Sequence, residues 1–84
     1  MHGGAVSGMM DTAMGMSIMA KSGRPVTTAE LNVSFIRPFL GESFLIDTEI
    51  LYMGRNLIRT RSTAYDEESG KLLASATANF AYVG

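Results

Sequence analysis

The chain has 84 residues, a formal net charge of −1, 46% hydrophobic residues and no cysteine. This length fits a single domain over 1–84, small enough that pairing with a second copy is expected. The composition excludes a disulfide framework, a thiol nucleophile and a thiolate metal site, and a charge so near zero leaves no electrostatic footprint for nucleic acid. With one histidine, a structural zinc site is not expected either.

The first predicted element is a helix over residues 4–20. Ala5, Met9, Ala13, Met16 and Ala20 fall on one stripe, and Val6, Met10, Met14 and Ile18 are apolar as well. A helix apolar on most sides is expected to be buried. Six of the seven methionines lie between Met1 and Met19, and such flexible side chains fill irregular gaps. The apolar run is short for a bilayer span, carries Asp11 near its centre and follows no basic stretch. A soluble, cytoplasmic protein without membrane contact is therefore expected. Ser22-Gly23-Arg24-Pro25 stops the helix, glycine first and proline after it.

Four strands are expected next. In 26–35, Leu31, Val33 and Phe35 alternate with Glu30, Asn32 and Ser34. In 44–53, Phe44, Ile46, Ile50 and Tyr52 face away from Asp47 and Glu49. Gly54-Arg55-Asn56 turns the chain into 57–65, and Asp66-Glu67-Glu68-Ser69-Gly70 turns it into 71–83. Short turns make the last three strands a meander. The longer connection 37–43 leaves open where the first strand pairs. Ala74, Ala76 and Ala78 share one face of the last strand, leaving room for the helix. The fold class is α+β, with one long buried helix wrapped by a four-stranded antiparallel sheet.

Three stretches together resemble one family. They are His2-Gly3-Gly4, then Asp11-Thr12-Ala13, then Thr27-Thr28-Ala29-Glu30-Leu31-Asn32-Val33-Ser34-Phe35-Ile36-Arg37-Pro38, with Gly70-Lys71-Leu72-Leu73-Ala74 near the end. In this order they resemble the PaaI-like branch of the hotdog-fold acyl-CoA thioesterases. The resemblance implies a hotdog fold and hydrolysis of an acyl-CoA thioester to free acid and CoA. No metal or other cofactor is implied, coenzyme A being part of the substrate. Relatives usually carry several dozen residues ahead of the His-Gly-Gly, among them a first strand and an Asn. By the resemblance that strand is missing here, and 44–53 should present an open sheet edge.

The resemblance also implies roles for particular residues. Asp11, a carboxylate among methionines, would be the general base or nucleophile, since buried carboxylates are seldom without a function or a partner. The bland alternative is an acid at the helix rim, exposed or bonded to Thr12 or Thr28. The Gly3 amide would form the oxyanion hole at the positive helix end, with Gly4 beside it admitting substrate. His2 would shape the site. Thr28 would reach the site from a partner subunit and orient a reactant. Asn32 and Arg37 are expected in sheet or interface hydrogen bonds, with strand 27–38 at the subunit interface of a dimer or dimer of dimers. Arg55, Arg59 and Arg61 are candidates for the CoA phosphates, with a solvated outer sheet face as their alternative. The PaaI resemblance leans toward aryl-acetyl or medium-chain acyl groups. Two other readings stay open: a non-catalytic acyl- or CoA-binding or assembly module, and a piece of a longer gene product.

Overall fold

The computed structural model describes residues 3–39 and 43–83. Helix α1 spans Gly3–Ser22, followed by β1 (Val26–Phe35), β2 (Phe44–Met53), β3 (Leu57–Asp66) and β4 (Leu72–Tyr82). The strands form one antiparallel sheet in the order β1-β4-β3-β2. The expected meander of β2, β3 and β4 is present. The question the sequence left open is settled by β1 pairing with β4, which puts β1 and β2 at opposite edges of the sheet. β1 and β2 are the edge strands among the described residues. None of the described helices is long and apolar enough to cross a membrane.

The helix seats on the sheet through one stripe. Val6, Met10, Met14 and Ile18, spaced four apart, are all fully buried. Opposite them lie Ala64 on β3 and Ala74, Ala76 and Ala78 on β4, each nearly or fully buried. Small residues on the strands let long ones on the helix sink in, the size complementarity that close packing requires. Each large side chain so buried contributes on the order of 2 kcal/mol. The inner face of β3 is partly polar, yet its hydroxyls are satisfied. Thr60 Oγ1 donates to the Ala78 carbonyl at 3.2 Å and lies 3.2 Å from Met14 Sδ, and Ser62 Oγ donates to the Asp47 carbonyl at 3.1 Å.

The helix ends where its sequence says it should. Gly23 adopts φ 71°, and its N–H donates to the Met19 carbonyl at 2.8 Å. Only glycine takes that left-handed conformation without strain. Beyond it, the Arg24 guanidinium stacks 3.8 Å over the Tyr82 ring, tying the helix exit to the end of β4.

Two expectations need correction. The helix is not buried all round. Met9 is 37%, Met16 60% and Met19 40% exposed. A single sheet covers only one side of a cylinder, so the second apolar stripe stays uncovered. Nor does Tyr52 share the inner face of β2 with Ile46 and Ile50. The register with β3 slips after Ile50, which pairs with Thr60, so that Tyr52 pairs with Arg59. The extra residue, Leu51, turns Tyr52 to the outer face, where it is 60% exposed.

Candidate active site

Asp11 lies midway along α1, half-buried at the border of the sheet-facing stripe. The Thr28 hydroxyl donates to its Oδ1 at 2.7 Å. A hydroxyl-to-carboxylate bond of that length is charge-assisted and holds the acid in one orientation. The contact depends on a bulge in β1. Thr28 pairs with Phe80 and Glu30 with Asn79, so Ala29 is an extra residue. Strict alternation back from Leu31 would put Thr28 on the outer face. The bulge reverses the alternation and points Thr28 at the helix.

The resemblance has Thr28 arriving from a partner subunit. In the structure it already lies on Asp11 of its own chain, because the bulge faces it inward. The sequence did carry a signal for this. Val26 and Leu31 are both half-buried beside the core, yet they are five residues apart. Two inward residues at odd separation on one strand imply an inserted residue between them.

Gly3 and Gly4 are not a loop ahead of the helix. They form its first turn, where backbone N–H groups lack intrahelical partners and the helix dipole is positive. His2 lies outside the described residues. Gly3 stands eight residues before Asp11, about 12 Å along the axis.

Beside Asp11 the uncovered side of α1 forms a shallow apolar lane of about 510 Å³, lined by Ala5, Gly8, Met9, Thr12, Ala13 and Met16. Gly8, three residues before Asp11, is its helix-surface neighbour on that side. No group of three His, Cys, Asp or Glu residues among the described ones is placed to hold a metal ion.

The family model of the Thioesterase superfamily matches residues 1–73. The chain belongs to the Thioesterase superfamily. Solved structures agree on the hotdog fold. A Bacillus halodurans protein crystallised with CoA superposes with a TM-score of 0.90 at 27% identity, over 98% of this chain and 55% of that one. A thioesterase family protein from Silicibacter pomeroyi gives 0.88 at 31%, over 99% and 64%. A phenylacetic acid degradation-related protein from Ralstonia eutropha gives 0.86 at 30%, over 98% and 61%. The chain thus spans a little over half to about two thirds of the length of these three structures. No curated relative matches it.

Other residues singled out in this thioesterase-superfamily chain are not brought to Asp11. Arg59 and Arg61 alternate with the buried Ile58, Thr60 and Ser62, so they point to the outer face of the sheet, away from α1. Arg61 Nη2 pairs there with Glu49 Oε2 at 3.0 Å, with both side chains about half exposed, which is the solvated-face alternative. Arg55 sits in the turn between β2 and β3, at the sheet end where α1 finishes rather than where it starts. None of the three contacts the Asp11–Thr28 pair. Arg37 Nη1 donates to the Leu72 carbonyl at 2.9 Å and Asn32 Nδ2 to Glu30 Oε1 at 3.1 Å, so both act within the sheet and its connections.

Proposed function

We propose that the chain hydrolyses an acyl-CoA thioester, with Asp11 as the base or nucleophile at the carbonyl carbon. The Thr28–Asp11 bond alone fits the non-catalytic alternative equally well. What carries the catalytic reading is that this half-buried carboxylate stands mid-helix in a chain matched by the Thioesterase superfamily model over residues 1–73. The bond holds that carboxylate in one orientation, toward β1. Thr28 orients the acid, and the Thr28 oxygen remains able to accept a hydrogen bond from a water beside it, while the Asp11 carboxylate would take that water's proton. The Gly3 amide, in the first helical turn where N–H groups have no intrahelical acceptor, would stabilise the oxyanion.

Spacing then requires two chains. A base must lie within about 3 Å of the atoms it serves. Gly3 and Asp11 of one helix are separated by about 12 Å, so no single carbonyl reaches both. The amide of one copy serves the carboxylate of another, and the site is composite. CoA enters as part of the substrate, the Bacillus halodurans relative having been crystallised with it.

The test is release of free thiol from a panel of acyl-CoAs. Asp11→Asn should lower kcat/KM by about 100-fold or more, the usual weight of a general base. Equal rates for the variant and the parent would remove Asp11 from the chemistry, and acyl-CoA binding without thiol release would favour a binding module. Gly3→Pro removes the amide while keeping a residue suited to a helix start. Mixing it with Asp11→Asn should restore about a quarter of the parent rate, through randomly paired dimers holding one intact site.

A further inference from the structure

We infer that the open stripe of α1 is an oxidation site, at which a peroxide transfers one oxygen atom to each of Met16, Met19 and Met9. The product is a folded chain whose helix face has turned from apolar to polar. The inference is independent of the role given to Asp11.

Composition and placement carry it together. The chain has no cysteine, so thioether is its only form of sulfur, and six of its seven methionines lie between Met1 and Met19. The fold sorts those described on α1 into two sets. Met10 and Met14 are fully buried against the sheet, and Met14 Sδ lies 3.2 Å from Thr60 Oγ1. Met9, Met16 and Met19 are exposed, with Met16 furthest out at 60%. Met9 and Met16 line the open side of the helix among Ala5, Gly8, Thr12 and Ala13. Such small neighbours leave the long thioether side chains within reach of solvent.

The chemistry needs a peroxide and nothing else. A sulfur lone pair attacks one oxygen of hydrogen peroxide, an S–O bond forms and the O–O bond breaks. Sulfur loses two electrons and the peroxide gains them. The departing hydroxide takes the proton of the transferred hydroxyl and leaves as water, with methionine sulfoxide as the product. Burial decides which sulfurs react. On the open stripe the new S–O dipole is met by water. At Met10 or Met14 it would stand without a partner in the apolar core. Oxidation of the open set therefore spares the packing that holds the helix.

The test is a peroxide titration of the full chain, with each methionine followed by peptide mapping in a mass spectrometer. Met16 should take up oxygen first, then Met19 and Met9. Met10 and Met14 should react at least about tenfold more slowly, since they wait for the helix to lift from the sheet. Met53 on β2 is as exposed as Met9 and gives the rate of an open methionine elsewhere in the fold. In concentrated urea all should react alike. Circular dichroism of the product should match that of the untreated chain, and its retention on a phenyl column should fall. Met16→Leu should lose the fastest event and leave the rest of the order unchanged.

Equal rates for the sealed and open sets in the folded chain overturn the inference. Loss of the helix signal after oxygen uptake at the open set alone overturns it too. Reaction at Met53 while Met9, Met16 and Met19 stay silent does the same, showing that the open stripe is covered in solution. The same order persisting in urea would trace it to neighbouring sequence and not to the fold, which also overturns it. Thiol release from acyl-CoA is read separately, so the hydrolase reading stands or falls on its own.

Discussion

Two faces of α1 are both rich in methionine and meet opposite fates. One carries Val6, Met10, Met14 and Ile18 and is sealed against β3 and β4. The other carries Ala5, Gly8, Met9, Thr12, Met16 and Met19 and is open. Methionine content does not separate them, although the sealed face is the more hydrophobic. What separates them is the surface opposite, since Ala64, Ala74, Ala76 and Ala78 make a trough that receives the first face. Asp11 lies at the border, turned toward β1 by Thr28. The comparison teaches that a buried structural face and an open functional face can be written in one alphabet, and that the partner surface tells them apart.

Substitution should break the symmetry. The largest effect is expected from Met14→Ala, which empties a fully buried site and should cost about 2–5 kcal/mol. Met16→Ala, on the open face at 60% exposure, should stay within about 0.5 kcal/mol. Urea denaturation of the two variants checks this, and equal losses would mean the open face is covered in solution. Next comes Ala76→Leu. It overfills the trough under the helix and should destabilise by about 1–3 kcal/mol, again read from the denaturation midpoint.

The two glycines of α1 sharpen the contrast further. Gly8→Ala gains helix propensity in open space and should stabilise by up to about 1 kcal/mol. At Gly15 the added Cβ would lie 3.4 Å from the Phe80 ring, so Gly15→Ala should gain less. The ranking of melting temperatures checks the order.

The smallest effect lies away from both faces, in the turn between β3 and β4. The Ser69 hydroxyl donates to Asp66 Oδ2 at 2.6 Å, and the Ser69 N–H adds a bond at 3.2 Å. The hydroxyl bond first and the backbone bond second hold the Asp66 carboxyl below its ordinary value. Its contribution is therefore present above the ordinary carboxylate range and lost as pH falls through the lowered value. Melting temperature followed from about pH 6 to about pH 3 should fall slightly less in Ser69→Ala than in the parent. A steeper fall in the variant would contradict this sign.

Local pattern carried a good deal of this molecule. The helix stop at Gly23 follows from the left-handed φ that glycine permits, and the meander of β2 to β4 follows from short turns. The alanine row on β4 correctly announced a bulky occupant. The place of β1 was not legible, because a ten-residue strand with one apolar face fits either sheet edge. The inward turn of Thr28 and the outward turn of Tyr52 were missed for one reason. Each follows a single inserted residue, Ala29 or Leu51, and period-two reading fails wherever the register slips. The arginines left two readings open because charge shows in a sequence while the face it decorates does not.

By itself the sequence determined the element order, the lone acid in a greasy helix and the capacity of that helix to be buried on more than one side. Those are properties of residue type and spacing, felt within a few positions along the chain. Only the tertiary structure decided which stripe is sealed, which is left as a lane beside Asp11, and that Thr28 of the same chain meets the acid. Those outcomes depend on contacts between distant residues, such as Asp11 with Thr28 and Thr28 with Phe80, and on bulges whose effect appears only when a second strand supplies the register.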